Sequence, residues 1–252
     1  IAQYGFNQDN WVWPRHNADF AMFRIYAASD GRPAEYDQSN VPLRPKHHLP
    51  VSIKQLKDGD FAMVMGFPGT TQRYSTSFEI ERDMLDNASR AKIRGIRQDV
   101  LKADMEASPD IRIKYATKYS QSSNYWKNAI EANKSLKALN IVGEKQKQEA
   151  SFVDWYKQDP ARSAEYCDVL PAIRDICQRS LGSKKNYMYI TECMLQGMEL
   201  IMHGYEILSF VASPDGKTKE QFINECHDFY KNYSKETDYK STLAMARLYV
   251  ED

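Results

Sequence analysis

The chain has 252 residues, enough for one large domain or two modest ones. Its 34 Lys and Arg balance 34 Asp and Glu, so no net field draws in nucleic acid or an anionic membrane surface. Hydrophobic residues at 42% and aromatics at 12% supply a packed core and argue against disorder, and no apolar run approaches the roughly 20 residues a spanning helix requires.

The chain opens Ile1-Ala2-Gln3-Tyr4, with neither an initiator Met nor an export segment, as expected of a processed terminus or a piece of something longer. Up to about residue 77 it carries short period-two segments separated by Gly and Pro. Asp19 to Ala27 alternates, with Ala21, Phe23 and Ile25 on one face and Phe20, Met22, Arg24 and Tyr26 on the other. Asp60 to Gly66 behaves in the same way, and Val51 to Lys54 is a shorter candidate strand. Residues 28–50, with Gly31, Pro33, Pro42, Pro45 and Pro50, read as extended loop. These strands are too few to close a barrel, because an unpaired edge is left on each side.

Beyond Ser77 the pattern turns helical. Ile80, Met84, Leu85, Ala88, Ile93, Ile96, Val100 and Leu101 form a broad stripe that predicts a helix from Phe78 to about Glu106. Ser108-Pro109-Asp110 reads as N-cap, first-turn proline and acidic first turn of a second helix. That helix runs to about Leu139, with a break expected around Gln121 to Asn124. Further helices are expected at about 144–157, 162–181, 184–210 and 217–232, and from about 238. Asp159-Pro160, Gly182 and Ser213-Pro214-Asp215-Gly216 serve as breakers. The 184–210 stretch is apolar on most sides and is the expected buried central helix. The four cysteines, Cys167, Cys177, Cys193 and Cys226, match no zinc or CxxC spacing. They read as small buried residues, with disulfides as the other reading.

Several residues have the types that carry chemistry. Asp19 opens a strand, where a carboxylate can orient a histidine from a neighbouring strand. Asp60 begins the same run, Asp60-Phe61-Ala62-Met63, so spacing does not choose between the two. His16, His47 and His48 sit in no recognisable metal motif. Asn124, within a small polar run before Trp126, either marks a helix break above a buried tryptophan or offers its side-chain oxygen to a ligand amine.

Together, Asn10-Trp11-Val12-Trp13-Pro14-Arg15-His16-Asn17-Ala18-Asp19-Phe20 resembles the signature of the bacterial serine dipeptidyl-peptidases 7 and 11. Pro45-Lys46-His47, Leu49-Pro50-Val51, the run from Met63 to Tyr74, and Ser123-Asn124-Tyr125-Trp126-Lys127 fit the same family. The match is colinear over essentially the whole chain. The resemblance implies an α+β fold: residues 1–77 as part of a chymotrypsin-like β-barrel, and 78–252 as an all-α helical cap over the cleft. It implies release of dipeptides from peptides with a free N-terminus. Asp19 then matches the triad aspartate, and Asn10, Trp11 and Asn124 match the residues that hold the substrate's N-terminal amine. The family's triad histidine is expected upstream of Ile1 and its serine downstream of Asp252, so the chain alone is expected to be inactive. Neither metal nor organic cofactor is implied. A periplasmic or secreted location and a homodimer are further expectations of the resemblance. The competing readings are a non-catalytic helical binding module, and carbohydrate binding through Trp11, Trp13 and Trp126.

Overall fold

The computed structural model describes residues 2–5, 10–12, 14–63, 65–67, 69–214 and 216–252. Ile1, Trp13, Val64, Pro68 and Asp215, cited above, lie outside them, as do the side chains of Gln3 and Asp19. The chain divides into two compact units. One comprises the described residues of Ile1–Asp9 and Trp13–Arg73, the other Asn10–Val12 and Tyr74–Asp252.

The first unit holds two short antiparallel ladders. Strands β1 (Ala2–Tyr4) and β2 (Ala18–Phe20) pair with Gln3 opposite Asp19. Strands β3 (Tyr26–Ala27) and β4 (Val41–Pro42) pair with Ala27 opposite Val41. The predicted strand over 19–27 is thus split, its ends in two different ladders. Val51 to Lys54 and the described residues of 60–66 form no ladder, and Phe61, Ile53 and Met65 are exposed. A strand is stable only with hydrogen-bonding neighbours and a covered face, and these segments have the alternation without the partners. Among the described residues no barrel is closed.

The second unit is helical. Helix α1 (Ser77–Ala107) begins at a capping box: Glu79 N–H donates to Thr76 Oγ1, and Thr76 N–H donates to Glu79 Oε2 at 2.8 Å. Glu149 of α3 (Ile141–Lys157) accepts from Ser77 N–H at 2.6 Å and from its hydroxyl at 2.7 Å, satisfying another donor at this buried helix start. Helix α2 (Pro109–Ala138) starts as expected, with Ser108 as N-cap and Pro109 in the first turn. It runs unbroken through Gln121–Asn124. Ser122 and Ser123 are buried rather than looped out, since small side chains let two helices approach closely. The same holds at Gly95, where an added Cβ would meet Trp126 Nε1 at 3.4 Å.

The predicted 162–181 helix is two helices, α4 (Pro160–Tyr166) and α5 (Val169–Tyr189), and Gly182 lies inside α5. An internal Gly costs only about 1 kcal/mol relative to Ala, which packing overrides. The predicted 184–210 helix is also interrupted. A π-helical turn (Ile190–Leu195) continues α5, and α6 (Glu199–Ala212) starts after Gln196–Met198. Gly197 sits where a Cβ would lie 2.4 Å from Cys193 O and 2.7 Å from Glu192 O. Only the first half of this stretch is buried, with Met188, Tyr189 and Cys193 in the core, whereas Leu200, Ile201 and Leu208 are exposed. The central helix is α1, which packs on α2, α3, α5 and the last helix, α8 (Lys235–Glu251). Ile93 of α1 forms a core with Met188, Tyr189, Cys193, Met245 and Leu248. Helix α7 (Lys219–Lys231) starts at a second capping box, Thr218 with Gln221. Among the described residues the four cysteines are free thiols, and no helix is long and apolar enough to cross a membrane.

Candidate functional site

Asn10 and Trp11, remote in sequence from the helices, belong to the helical unit through one oxygen of α2. Asn124 Oδ1 accepts from Trp11 Nε1 at 2.9 Å and from Asn10 Nδ2 at 3.1 Å. An amide oxygen has two lone pairs, so both are engaged by protein donors and the orientation of the Asn124 amide is fixed. The cluster's remaining carbonyl acceptor is Asn10 Oδ1. Asn124 and Trp11 are exposed and Asn10 is half-buried, so a ligand has access. Trp11 reaches this position with φ at 64°, a left-handed backbone rarely adopted by a bulky residue and costing about 1–3 kcal/mol. Strain of this kind persists only where surrounding contacts over-determine it, and the indole bond to Asn124 is one such contact.

Three of the four residues singled out from sequence are therefore brought together. The fourth, Asp19, lies at the centre of β2 opposite Gln3. Asp60, its alternative, accepts from Lys57 N–H at 2.8 Å in a local turn. Among the described residues no group of three metal-binding side chains forms. Trp126 is half-buried, its Nε1 donating to Ala91 O at 3.0 Å. Its indole thus serves the α1–α2 contact rather than offering an open stacking platform.

A second polar cluster, not singled out from sequence, lies on a neighbouring face of α2. Glu192, buried in the π-turn, accepts from Arg94 Nε at 2.7 Å and from Arg90 Nε at 3.0 Å. Arg94 also donates to Gln196 Oε1 at 2.7 Å, and its guanidinium lies over the Tyr125 ring at 5.0 Å. Lys118 pairs with Glu199 and donates to Asn232 O at 2.8 Å. Asp238 accepts from the N–H groups of Glu199 and Leu200 at the start of α6, and from the Tyr233 hydroxyl at 3.1 Å. Burial, then the Asp238 charge, pushes the Tyr233 phenol up to about 12. The legible signal for this cluster was Arg90, Arg94 and Arg97, cations spaced onto the apolar side of α1.

The peptidase S46 family model matches residues 1–252. Dipeptidyl-peptidase 7 of Phocaeicola vulgatus is 40% identical over 262 residues, covering 100% of this chain and 36% of that protein. The Asp/Glu-specific dipeptidyl-peptidase of Porphyromonas gingivalis is 34% identical, with 100% of this chain and 36% of that protein covered. The crystal structure of Porphyromonas endodontalis DPP11 in complex with the dipeptide Arg-Glu superposes with a TM-score of 0.71 at 33% identity, over 97% of this chain and 36% of that one. The chain thus spans about a third of the length of the relatives it matches. A match along its whole length, by sequence and by fold, places it: the chain belongs to the peptidase S46 family.

Proposed function

We propose that this chain is part of a serine dipeptidyl-peptidase that releases dipeptides from the free N-termini of peptides. The observation that carries the reading is the convergence of Asn10 and Trp11 on Asn124 Oδ1. A substrate ammonium needs acceptors around it, and a hydrogen bond to a charged group is worth about 1.5–3 kcal/mol. Asn10 Oδ1 supplies such an acceptor directly. Asn124 holds Asn10 and the indole in place, so it acts by positioning them. A site that satisfies an ammonium rejects an acetylated N-terminus, which leaves the acceptor unpaired.

Asp19 is the proposed triad aspartate. In that role it fixes the tautomer of the catalytic histidine and stabilises the imidazolium formed when the serine attacks. Histidine, serine and oxyanion donors then come from parts of the protein beyond this chain, together with strands that complete a chymotrypsin-like barrel over residues 1–77. The exposed alternating segments 51–54 and 60–66 are consistent with that completion. Residues 78–252 serve as the helical cap. The bound Arg-Glu of the Porphyromonas endodontalis relative supports a peptide ligand. A periplasmic or secreted location and a homodimer follow the same family reading.

The test compares fluorogenic dipeptides with free and acetylated N-termini, using the full-length protein and its Asp19→Ala variant. Cleavage of the free form alone, lost on substitution by roughly 10⁴-fold, supports the reading. Cleavage of neither form, or an unaffected Asp19→Ala variant, refutes it. The 252-residue chain by itself should show no turnover.

A further inference from the structure

Beside the Arg94–Glu192 pair lies a pocket of about 310 Å³, lined by Arg94, Arg97, Lys118, Ser122, Tyr125 and Glu199 among others. On α2, Lys118, Ser122 and Tyr125 follow the i, i+4, i+7 spacing of one helix face. Asn124 lies one residue, about 100°, around from Tyr125. The pocket is built wholly within the helical unit and does not depend on the peptidase reading.

Its polar groups are unevenly satisfied. Arg94 and Lys118 have carboxylate partners, as described above. Arg97 has neither an ion pair nor a hydrogen bond among the described residues, although it is only 9% exposed and its Nε is fully enclosed. Ser122, at 3% exposed, has an enclosed Oγ that is likewise unpartnered. The charges are unequal too. Arg90, Arg94, Arg97 and Lys118 are set against Glu192, Glu199 and Asp238, four cations against three carboxylates. Burial holds the Arg97 guanidinium below its ordinary pKa, opposed chiefly by Glu199, yet an arginine stays charged. A buried cation without a partner is costly. Two enclosed donors, one of them cationic, in a roomy pocket with one surplus positive charge are complementary to one anionic group.

We infer that this pocket binds a carboxylate, received by the Arg97 guanidinium and the Ser122 hydroxyl, with Lys118 and Arg94 completing the positive field. A carboxylate fits the planar donor fork of arginine and restores the balance of charge. Two sources present this chemistry: a free small carboxylate, or the acidic side chain of a peptide.

The experiment follows the thermal midpoint of the chain at constant ionic strength as sodium acetate replaces sodium chloride. Wild type should show a saturable rise of about 2–4 °C, because a ligand that binds only the folded state stabilises it. Arg97→Met should melt higher than wild type without acetate, having lost an unpaired buried charge, and should not respond to acetate. Ser122→Ala, which keeps the helix, should bind acetate at least threefold more weakly, and it stands in if Arg97→Met does not fold. N-acetyl-glutamate amide distinguishes the sources. Tighter binding in competition with acetate points to a peptide side chain, and no binding points to a free carboxylate. Either result keeps the site. The absence of a saturable response in wild type, an equal response in both variants, or saturation by inorganic phosphate but not by acetate overturns the inference.

Discussion

Trp11 Nε1 meets Asn124 Oδ1 at 2.9 Å across 113 positions of sequence. The bond joins a strained left-handed residue to the exposed face of a helix, and it orients an amide whose partner, Asn10, retains an acceptor of its own. In the full-length protein, Asn124→Ala should release Asn10 from its position and lower kcat/KM for free-amine dipeptides by about 10- to 100-fold, through the loss of about 1.5–3 kcal/mol of hydrogen bonding from the ammonium to Asn10 Oδ1. The loss should fall mainly on KM. Trp11→Phe keeps an aromatic ring, though a smaller one, and removes the donor, so it should cost only several-fold. Steady-state kinetics on both variants check this. An unchanged KM for Asn124→Ala would separate the cluster from amine binding.

Glu192 is the common acceptor of Arg90 and Arg94. Glu192→Gln keeps its volume and removes its charge, leaving a buried guanidinium without a counter-ion. A destabilisation of about 3 kcal/mol or more is expected, measurable as a lower urea midpoint. A change below about 1 kcal/mol would mean that solvent already screens the pair.

Gly197 is closed in by Cys193 O at 2.4 Å and Glu192 O at 2.7 Å from where a Cβ would sit, with Met245 Cε at 2.5 Å. The methionine tip can move, but the two carbonyls belong to the π-turn. Gly197→Ala should therefore destabilise by about 1–3 kcal/mol through forced backbone movement. It should also loosen the hold of Glu192 on Arg94. Calorimetric unfolding and near-ultraviolet circular dichroism would read the two effects.

Cys193 has its thiol pushed up to about 11 by burial and then by the neighbouring Glu192 carboxylate. A folded-state pKa above the unfolded one favours the native state while the thiol stays protonated. That contribution is complete below the ordinary value of 9.0 and is lost as pH rises through about 11. Cys193→Ala should accordingly flatten the fall in stability over that window. At pH 8 a disulfide reagent should modify exposed Cys167 rapidly and buried Cys193 only after unfolding. Rapid labelling of Cys193 in the native chain would contradict its burial.

What could be read from sequence depended on whether the cause was local. The starts of α1 and α2 were written in Thr76 with Glu79 and in Ser108 with Pro109, because a cap is made by residues three positions apart. The π-turn was not, since nothing in Ile190–Leu195 marks an extra residue per turn. What goes with it is Gly197, two residues on, which leaves room for the carbonyls of Glu192 and Cys193. Gln121–Asn124 looked like a break because small polar residues favour loops, yet Ser122 and Ser123 are small so that α2 can lie close to its neighbour. The alternation over Asp19 to Ala27 predicted one two-faced strand, but its ends pair with different strands, and residues 21–25 between them form none and are exposed. The contact of Asn10 and Trp11 with Asn124 was expected only from the family resemblance, for no spacing rule spans 113 residues. The resemblance in turn pointed nowhere near Arg97, whose exceptional state is its lack of a partner.

Because Asn10–Val12 belong with the helices while the other described residues up to Arg73 do not, the boundary at Arg73 and Tyr74 is not a clean splice point. A chimera joined there would combine Asn124 from one parent with Asn10 and Trp11 from another. Relatives that differ at any of these three positions should therefore yield hybrids with a raised KM unless all three are exchanged together. The helical half is inherited as a unit only together with Asn10–Val12, more than 60 residues before its first helix.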